Sequence, residues 1–282
     1  TYAQVVGDKL SVQQIEQYRD AGWVSPVPVM SSDAAATARS KLETHEATLG
    51  HPVDASQRSK CHLLFRWVDD IMRDDQVLDA VEDLIGPNIL CWNTILWIKE
   101  PQTASYVGWH QDLAYWGLDN DELVTVWVAL SPASEASGCM SVIPGSHHQL
   151  LQHDETWNKD NLLTRGQELS IDPAEYPIVA MALEPGQASF HNVRSAHGSG
   201  SNTTDDRRIG LSMHFMPTHT RQKLSDWDSA ALVRGSDDYG HFEHSPQPMH
   251  DFDPVAVEFH RRASKALRDI VYAGTEPDTT TL

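Results

Sequence analysis

The sequence has few cysteines, fewer basic than acidic residues, and no long hydrophobic run. Its three cysteines, Cys61, Cys91 and Cys139, are far apart, odd in number and unlike any zinc-binding spacing. We expect them to stay reduced in a cytoplasmic protein. No apolar stretch approaches the roughly 20 residues that cross a bilayer, and the first residues lack a basic segment followed by an apolar one. The sequence therefore predicts no membrane span and shows no secretion signal in the residues given, and a peptide removed before Thr1 stays an alternative.

Positive charge is also scarce. The 282 residues include 21 Lys and Arg but 40 Asp and Glu, for a formal charge of −19. Such a charge repels phosphates, so a nucleic acid is not an expected partner. It also weighs mildly against a coenzyme A thioester as substrate, which would need a local basic pocket. Apolar residues at 40% and charged residues at 22% are typical of a soluble globular enzyme.

The chain changes in character near residue 88. Before it, helix formers follow candidate N-caps, and Ser11 and Gly22 are expected to begin and end the first helix. After it, short apolar runs are separated by Gly, Pro, Asn and Ser, a pattern typical of strands in a sandwich or jelly roll. We predict one α+β domain over residues 1–282, with a helical region over residues 1–87, a β core over 88–218 containing an insertion at about 150–176, and a helix at 253–273. The tail TEPDTTTL is expected to fray.

Strand alternation identifies one arginine as a candidate anion ligand. In RRIGLSMHF, Ile209 and every second residue after it form an apolar face, whereas Arg208 shares the other face with small and polar residues. An arginine on a polar inner face is well suited to a carboxylate. The same alternation turns Trp127 away from the valines of LVTVWVAL.

A metal site is suggested by His110 and Asp112, which lie two residues apart. With 15 histidines and 40 acidic residues, roughly two such His-x-acid pairs arise by chance, and His153/Glu155 and His241/Glu243 are rivals. The third ligand could come from His191, His197, His214 or His219. His197 is favoured because Gly198 and Gly200 allow close approach of the backbone to a ligand. Two histidines and one carboxylate leave three positions of an octahedral Fe(II) open, whereas zinc prefers a tetrahedral site.

Five stretches resemble the phytanoyl-CoA dioxygenase family of Fe(II)- and 2-oxoglutarate-dependent oxygenases. They span roughly residues 63–215 and are LLFRWV, IGPNILCWNTILWIKEP, WHQDLAYWGL, VTVWVALSPASEASGCMSVIPGSHH and SAHGSGSNTTDDRRIGLSMHF. The resemblance implies a double-stranded β-helix, a cupin-like jelly roll with flanking helices at both ends. It also implies Fe(II), 2-oxoglutarate and O2 as cofactor and cosubstrates, and a small-molecule substrate.

The same resemblance assigns roles to individual residues. His110, Asp112 and His197 match the iron ligands, and Arg208 and Ser199 match the groups that hold the far carboxylate of 2-oxoglutarate. Trp127 and Ile95 match an aromatic and an apolar position lining the cosubstrate. Related halogenases have a small residue in place of the carboxylate ligand, so Asp112 implies a hydroxylase or another oxygenase, with desaturation, cyclisation and demethylation left open. No catalytic residue beyond the metal ligands is expected.

The substrate is less determined by the sequence. Trp97, Trp109, Tyr115 and Trp116 lie close to the metal motif and could line an apolar pocket, form a cage for a cationic amine, or simply pack the core. Lys99 and Arg194 are candidates for holding a substrate anion. The polar segment 150–176 is a candidate lid.

Two other functions remain open at this point. One is a jelly-roll binding protein without turnover, and the other is a metal enzyme of the same fold that does not use 2-oxoglutarate. The combination of His110, Asp112, His197 and Arg208 argues against the first, and the pairing of Arg208 with Ser199 argues against the second.

Overall fold

The computed structural model of the protein describes residues 9–274, so the tail TEPDTTTL lies outside the described residues. The helices are α1 (Val12–Ala21), α2 (Ser32–Leu49), α3 (Ala55–Arg58), α4 (Arg66–Met72), α5 (Asp75–Ile85), α6 (Leu113–Trp116) and α7 (Pro254–Val271). The strands are β1 (Trp23–Pro28), β2 (Ile89–Lys99), β3 (Val107–His110), β4 (Val124–Ala129), β5 (Met140–Val142), β6 (His153–Glu155), β7 (Gln167–Leu169), β8 (Val179–Met181), β9 (Gln187–Asn192), β10 (His197–Ser199), β11 (Arg208–Pro217), β12 (Ser229–Arg234) and β13 (Glu243–His244).

Local sequence sets the helix ends. The Ser11 hydroxyl accepts a hydrogen bond from the Gln14 N–H while the Gln14 side chain accepts from the Ser11 N–H, a reciprocal cap that begins α1. Gly22 ends α1 with φ of +84°, a conformation that costs glycine little. Asp253 caps α7, and Pro254 occupies its first turn. These ends confirm the predictions for α1 and α7.

The β core consists of two facing sheets. The larger has the order β1-β9-β4-β11-β2-β12-β13 and the smaller β3-β10-β5-β8, while β6 and β7 form a separate pair. Trp127 of β4 belongs to the same buried apolar cluster as Met140 of β5 and Met181 of β8, so the two sheets pack face to face there. The predicted α+β fold with a jelly-roll core is confirmed.

Alternation along the central strands separates the core from the site. Ile209, Leu211, Met213 and Phe215 of β11 join the main apolar cluster with residues of α2, α4 and α5. Arg208, Ser212 and His214 line a cavity on the opposite face. The two faces of β11 therefore lie as predicted, one under the helices and one toward the site.

Three elements differ from the sequence-based expectation. Strand β1 lies within the predicted helical region and pairs with β9 at the edge of the large sheet, a place where its two prolines are tolerated. Strand β12 extends the sheet beyond residue 218. Segment 150–176 carries β6 and β7 rather than only loop. Within residues 9–274, no helix has both the length and the apolar composition that crossing a bilayer requires.

Candidate metal centre

The three candidate ligands come from neighbouring strand ends. His110 is the last residue of β3, Asp112 follows two residues later at the start of α6, and His197 begins β10. Because β3 and β10 are antiparallel with His110 directly opposite His197, both imidazoles lie side by side, with ring centroids 4.2 Å apart. One Asp112 carboxylate oxygen lies 3.2 Å from His110 Nε2 and 3.9 Å from His197 Nε2. One donor atom from each residue therefore lies within 4.8 Å of the other two, in a buried position.

Hydrogen bonds fix which nitrogen of each histidine is available. His110 Nδ1 lies 2.8 Å from the Gly108 carbonyl, and His197 Nδ1 lies 2.9 Å from the Ser195 carbonyl. A carbonyl can only accept, so each Nδ1 carries the proton and each Nε2 presents a lone pair. Metal-binding histidines are commonly oriented in this way. The residues present therefore fit a divalent metal ion.

Electrostatics gives the site the protonation state that a metal requires. Burial, reinforced by His110, lowers the pKa of His197 to about 4, so its imidazole is neutral near pH 7. Burial alone would raise the pKa of Asp112, but His197 and His110 outweigh it and hold that pKa below its usual range. The second Asp112 oxygen accepts a hydrogen bond from the Thr125 hydroxyl at 3.1 Å. The neutral imidazole of His197 and the ionised carboxylate of Asp112 are donors that suit a dication.

The other histidines considered as third ligand lie in different places. His191 is buried beside the site, with Nε2 3.9 Å from Asp112, and neither ring nitrogen has a protein partner. His214 lines the same cavity and stacks on Trp116 at 4.4 Å. His219 lies at the surface near Glu122. Only His197 joins His110 and Asp112 among the described residues that could share one ion.

Arg208 is a buried cation without a counter-charge. It is 2% exposed, its guanidinium lies 5.2 Å from the ring of Trp127, and its Nε and Nη2 have no hydrogen-bond partner. Burial lowers its pKa to about 10, which still leaves it charged. Unpaired buried donors are costly, so this end of the cavity favours an anion with two oxygens. Ser199 and Ile95 line the same cavity.

Lys99 is a second buried cation here. It faces Arg208 directly across β2 and β11, and its Nζ lies 2.7 Å from the Ser199 hydroxyl. The sequence analysis proposed Lys99 as a candidate for holding a substrate anion and did not identify Arg208 and Ser199 as its neighbours. Alternation contained the signal, because Ile95, Trp97 and Lys99 occupy every second position of β2.

Gln111 was not singled out from the sequence, yet it holds the metal motif in place. Its side-chain amide is fully buried and lies 2.6 Å from the Arg194 carbonyl and 2.8 Å from the Gln149 carbonyl, while its oxygen accepts from the Leu151 N–H. Its backbone N–H donates to His153 Nε2 at 2.9 Å. His153, a rival metal ligand by sequence, instead ties segment 150–176 to the residue between two candidate ligands.

A cavity of about 960 Å³ contains the candidate ligands and extends to α7. Trp97, Tyr115 and Trp116 line it, whereas Trp109 does not. Trp109 packs on Ile143 and Leu169 on the other side of β3, since His110 occupies the inner face and adjacent residues of a strand face opposite ways. The assignment of Trp109 to the substrate pocket is corrected accordingly.

Two further expectations can be compared with the structure. Arg194 does not line this cavity and pairs instead with Asp121 at 2.6 Å, so it is not placed to hold a substrate anion. His241 contacts Arg221 and Glu243 pairs with Arg262, both away from the cavity, so this rival His-x-acid pair does not join the site.

Comparisons with known proteins support the family resemblance found in the sequence. Residues 10–210 match the family model described as Phytanoyl-CoA dioxygenase (PhyH). A protein of Stutzerimonas stutzeri named "Probable alpha-ketoglutarate-dependent hypophosphite dioxygenase" is 32% identical over 151 residues, covering 52% of each chain. The peroxisomal phytanoyl-CoA dioxygenase of Homo sapiens is 33% identical over 148 residues, covering 50% of this chain and 43% of that protein. The chain thus spans about half the length of these curated relatives.

A solved structure extends the similarity over nearly the whole chain. The structure described as "non-heme monooxygenase; ThoJ apo" superposes with a TM-score of 0.80 at 32% identity. The match covers 92% of this chain and 97% of that one.

Proposed function

The chain belongs to the phytanoyl-CoA dioxygenase family, and we propose that it is an Fe(II)- and 2-oxoglutarate-dependent oxygenase. We propose that it hydroxylates an unactivated C–H bond of a small molecule, with release of succinate and CO2. The observation that carries this proposal is the presence, in one cavity, of a His–Asp–His cluster and a buried arginine without a counter-charge. Each half alone would fit other functions, and together they match a metal-chelated dicarboxylate.

The residues at one end of the cavity would bind the iron, and those at the other end would bind the cosubstrate. His110, Asp112 and His197 would hold the iron on one side and leave its remaining positions open. Arg208 and Ser199 would bind the carboxylate far from the metal, with the Trp127 ring packed against the guanidinium. Iron with 2-oxoglutarate supplies the oxidising chemistry, and the chain supplies orientation and exclusion of water. No general acid or base is needed beyond these groups.

Asp112 favours hydroxylation over halogenation. A halogenase would have a small residue here to leave room for a halide at iron. Asp112 is instead a carboxylate with one oxygen turned toward the two imidazoles and the other held by Thr125.

The other two functions are less well supported. A binding protein without turnover has no requirement for two imidazoles whose lone pairs converge on a carboxylate. A metal enzyme that dispenses with 2-oxoglutarate would leave the buried Arg208 without an anion, at a cost in stability.

For the substrate, we propose a largely apolar skeleton rather than a cationic amine. Tyr115 already has the Arg165 guanidinium 4.8 Å from its ring, and Trp116 is stacked on His214, so these faces are not free to enclose a cation. The far part of the cavity is lined by Arg58, Arg261 and Arg268 but by a single acid, Asp54. The volume of about 960 Å³ suits a small molecule of substantial size.

The test is turnover of 2-oxoglutarate in the absence of substrate. Protein with Fe(II), ascorbate and 2-oxoglutarate labelled at C1 should release CO2 and succinate in equal amounts. Asp112→Gly should reduce this by at least about 100-fold, because a ligand is lost. His241→Ala, a surface variant, should retain it. Unchanged turnover in Asp112→Gly would remove the ligand assignment, and no turnover in the wild type would count against the oxygenase itself.

A further inference from the structure

Lys99 is buried among neutral oxygen atoms. It is 1% exposed, and its Nζ contacts the carbonyls of Ser199, Gly138 and Gly200 and the hydroxyl of Ser199, the last at 2.7 Å. Within residues 9–274, no carboxylate is among the charged groups that act on Lys99 or on its neighbour Arg208. A buried ammonium that finds only dipoles is poorly stabilised in its charged form.

The groups that face Lys99 destabilise its charged form further. Arg208 lies directly opposite it on β11, and the buried thiol of Cys139 approaches from the loop before β5. Desolvation, with a contribution from the Arg208 charge, lowers the pKa of Lys99 to about 6. Burial raises the pKa of Cys139, so that thiol supplies no negative charge near neutral pH. An anion bound at Arg208 would offset the Arg208 charge and would favour the charged form of Lys99.

The number of protons on the Lys99 amine decides whether the Ser199 hydroxyl can donate a hydrogen bond to an anion. A neutral amine has two N–H groups and one lone pair, so the Ser199 hydroxyl can donate its only proton to Nζ. A charged ammonium has three N–H groups and no lone pair, so the Ser199 oxygen must accept from Nζ. The Ser199 proton is then free to be donated elsewhere. Protonation of Lys99 therefore turns Ser199 into a donor for a ligand in the cavity.

We propose that Lys99 is a positioning residue that takes up one proton from solvent when the far carboxylate of 2-oxoglutarate binds at Arg208, and thereby turns the Ser199 hydroxyl toward that carboxylate. This rests on the proposed function, since the anion is the cosubstrate. The proton joins the Lys99 amine, no other bond forms or breaks, and the cosubstrate remains a dianion. Lys99 does not contact the reacting carbon.

The test is isothermal titration of 2-oxoglutarate into anaerobic Fe(II)-loaded protein in buffers of different ionisation enthalpy. The dependence of the measured heat on the buffer gives the number of protons taken up. For the wild type we expect little uptake at pH 5, where Lys99 is already charged, and uptake approaching one proton per 2-oxoglutarate at pH 7.5. This measurement needs no variant.

Lys99→Met and the exposed Lys265→Met form a matched pair. We expect Lys99→Met to abolish proton uptake and weaken 2-oxoglutarate binding by about tenfold to a hundredfold, because a charge-assisted hydrogen bond is lost. Its melting temperature at pH 7.5 serves as the folding control, because the side chain replaced there is a neutral amine and its loss leaves the carbonyls of Gly138 and Gly200 without that donor. A merely structural lysine would change neither the proton count nor the affinity in this way. Lys265→Met should behave as the wild type.

The outcomes separate the two proposals. Absence of 2-oxoglutarate binding to the wild type would overturn the proposed function. Binding without proton uptake at pH 7.5, or the same uptake in Lys99→Met, would overturn the role of Lys99 and leave the oxygenase intact.

Discussion

At the scale of single residues, the site depends on groups that orient the ligands as much as on the ligands. The Gln111 side chain contacts backbone groups of two connections, at Ser146, Gln149 and Leu151 between β5 and β6 and at Arg194 between β9 and β10. Because Gln111 lies between His110 and Asp112, these contacts fix the backbone from which both ligands project.

We predict that Gln111→Ala weakens both folding and metal binding. Buried backbone groups would lose their partners, so the free energy of unfolding should fall by about 2 kcal/mol. Fe(II) affinity should fall about tenfold, as for other groups that orient metal ligands. Chemical denaturation and anaerobic Fe(II) titration measure the two effects. Gln149→Ala, an exposed glutamine whose carbonyl alone is used, is the control. Wild-type metal affinity in Gln111→Ala would contradict this role.

Gly210 is a second residue where the site constrains the sequence. It lies on β11 between Arg208 and Ser212, and a methyl group added there would overlap the indole of Trp127. That indole packs between the two sheets and under Arg208. The absence of a side chain at position 210 therefore makes room for the ring.

We predict that Gly210→Ala lowers the free energy of unfolding by about 1–3 kcal/mol, as overpacking does. It should also weaken 2-oxoglutarate binding, since Trp127 would shift against Arg208. Denaturation and cosubstrate titration provide the measurements. Gly200→Ala, where an added methyl group meets open space, should be close to wild type. Equal stability of the two variants would show that Trp127 is free to move.

Residue-level prediction from the sequence succeeded where one rule decides the outcome. Strand alternation was sufficient to place Arg208 on the cavity side of β11, whereas the preceding Arg207 lies outside the cavity in a network with Glu46 and Glu100. It would also have excluded Trp109, had it been applied to β3. Gln111 could not have been found in this way, because its partners lie 35 to 83 residues away along the chain.

At the scale of elements, segment 150–176 extends from the solvent-exposed surface to the cavity. Its exposed stretch at 154–160 runs from β6 into the connection to β7, and Leu162 and Gln167 line the cavity. His153 ties one end to the metal motif, and the Tyr106 N–H donates to the Asp160 carbonyl at 2.9 Å. The segment therefore contacts both the solvent and the site, and its closing over the cavity stays a prediction.

We predict that ligands protect this segment from proteolysis. Fe(II) with 2-oxoglutarate under anaerobic conditions should slow cleavage at 154–160 several-fold, because this stretch is held by contacts next to the ligands. Mapping of fragments by mass spectrometry locates the cuts, and cuts in the exposed 238–240 turn serve as an internal control. Equal cleavage rates with and without ligands would count against a lid.

The helices and strands that could be predicted are those with a clear pattern in their own sequence. Helices α1 and α7 have capping residues at the expected positions, and β2, β4, β9 and β11 are apolar runs that alternate against a polar face. Strand β1 has two prolines in six residues, and only its pairing with β9 makes it a strand. Tertiary partners, which the local sequence does not reveal, decide such edge elements.

At the scale of the whole molecule, buried histidines are an unusual feature of the interior. Desolvation is the largest cause that lowers the pKa in each of His62, His153, His191, His197, His214 and His260. In the unfolded chain an imidazole binds its proton near pH 6.5. Between that pH and the lower folded-state pKa, the unfolded chain binds more protons than the folded one.

We predict that the metal-free protein is destabilised as the pH falls from about 6.5 toward 4. Each such histidine contributes a slope of up to about 1.4 kcal/mol per pH unit in this window, and the contribution is fully present above pH 6.5. Thermal unfolding at pH 8, 6.5, 5.5 and 4.5 measures the trend, and His62→Asn should reduce the slope by about one proton. A melting temperature that does not change between pH 7 and 5 would contradict the prediction.

The most direct test of the central claim is an anaerobic titration of the metal-free protein with Fe(II) and then 2-oxoglutarate, followed by visible absorption. We predict a weak charge-transfer band of the iron chelate in the wild type, a loss of that band in Arg208→Ala at limiting 2-oxoglutarate, and a normal band in the surface variant Arg262→Ala. Iron binding without a band would contradict the assignment of 2-oxoglutarate as cosubstrate. Failure to bind iron would contradict the metal centre formed by His110, Asp112 and His197.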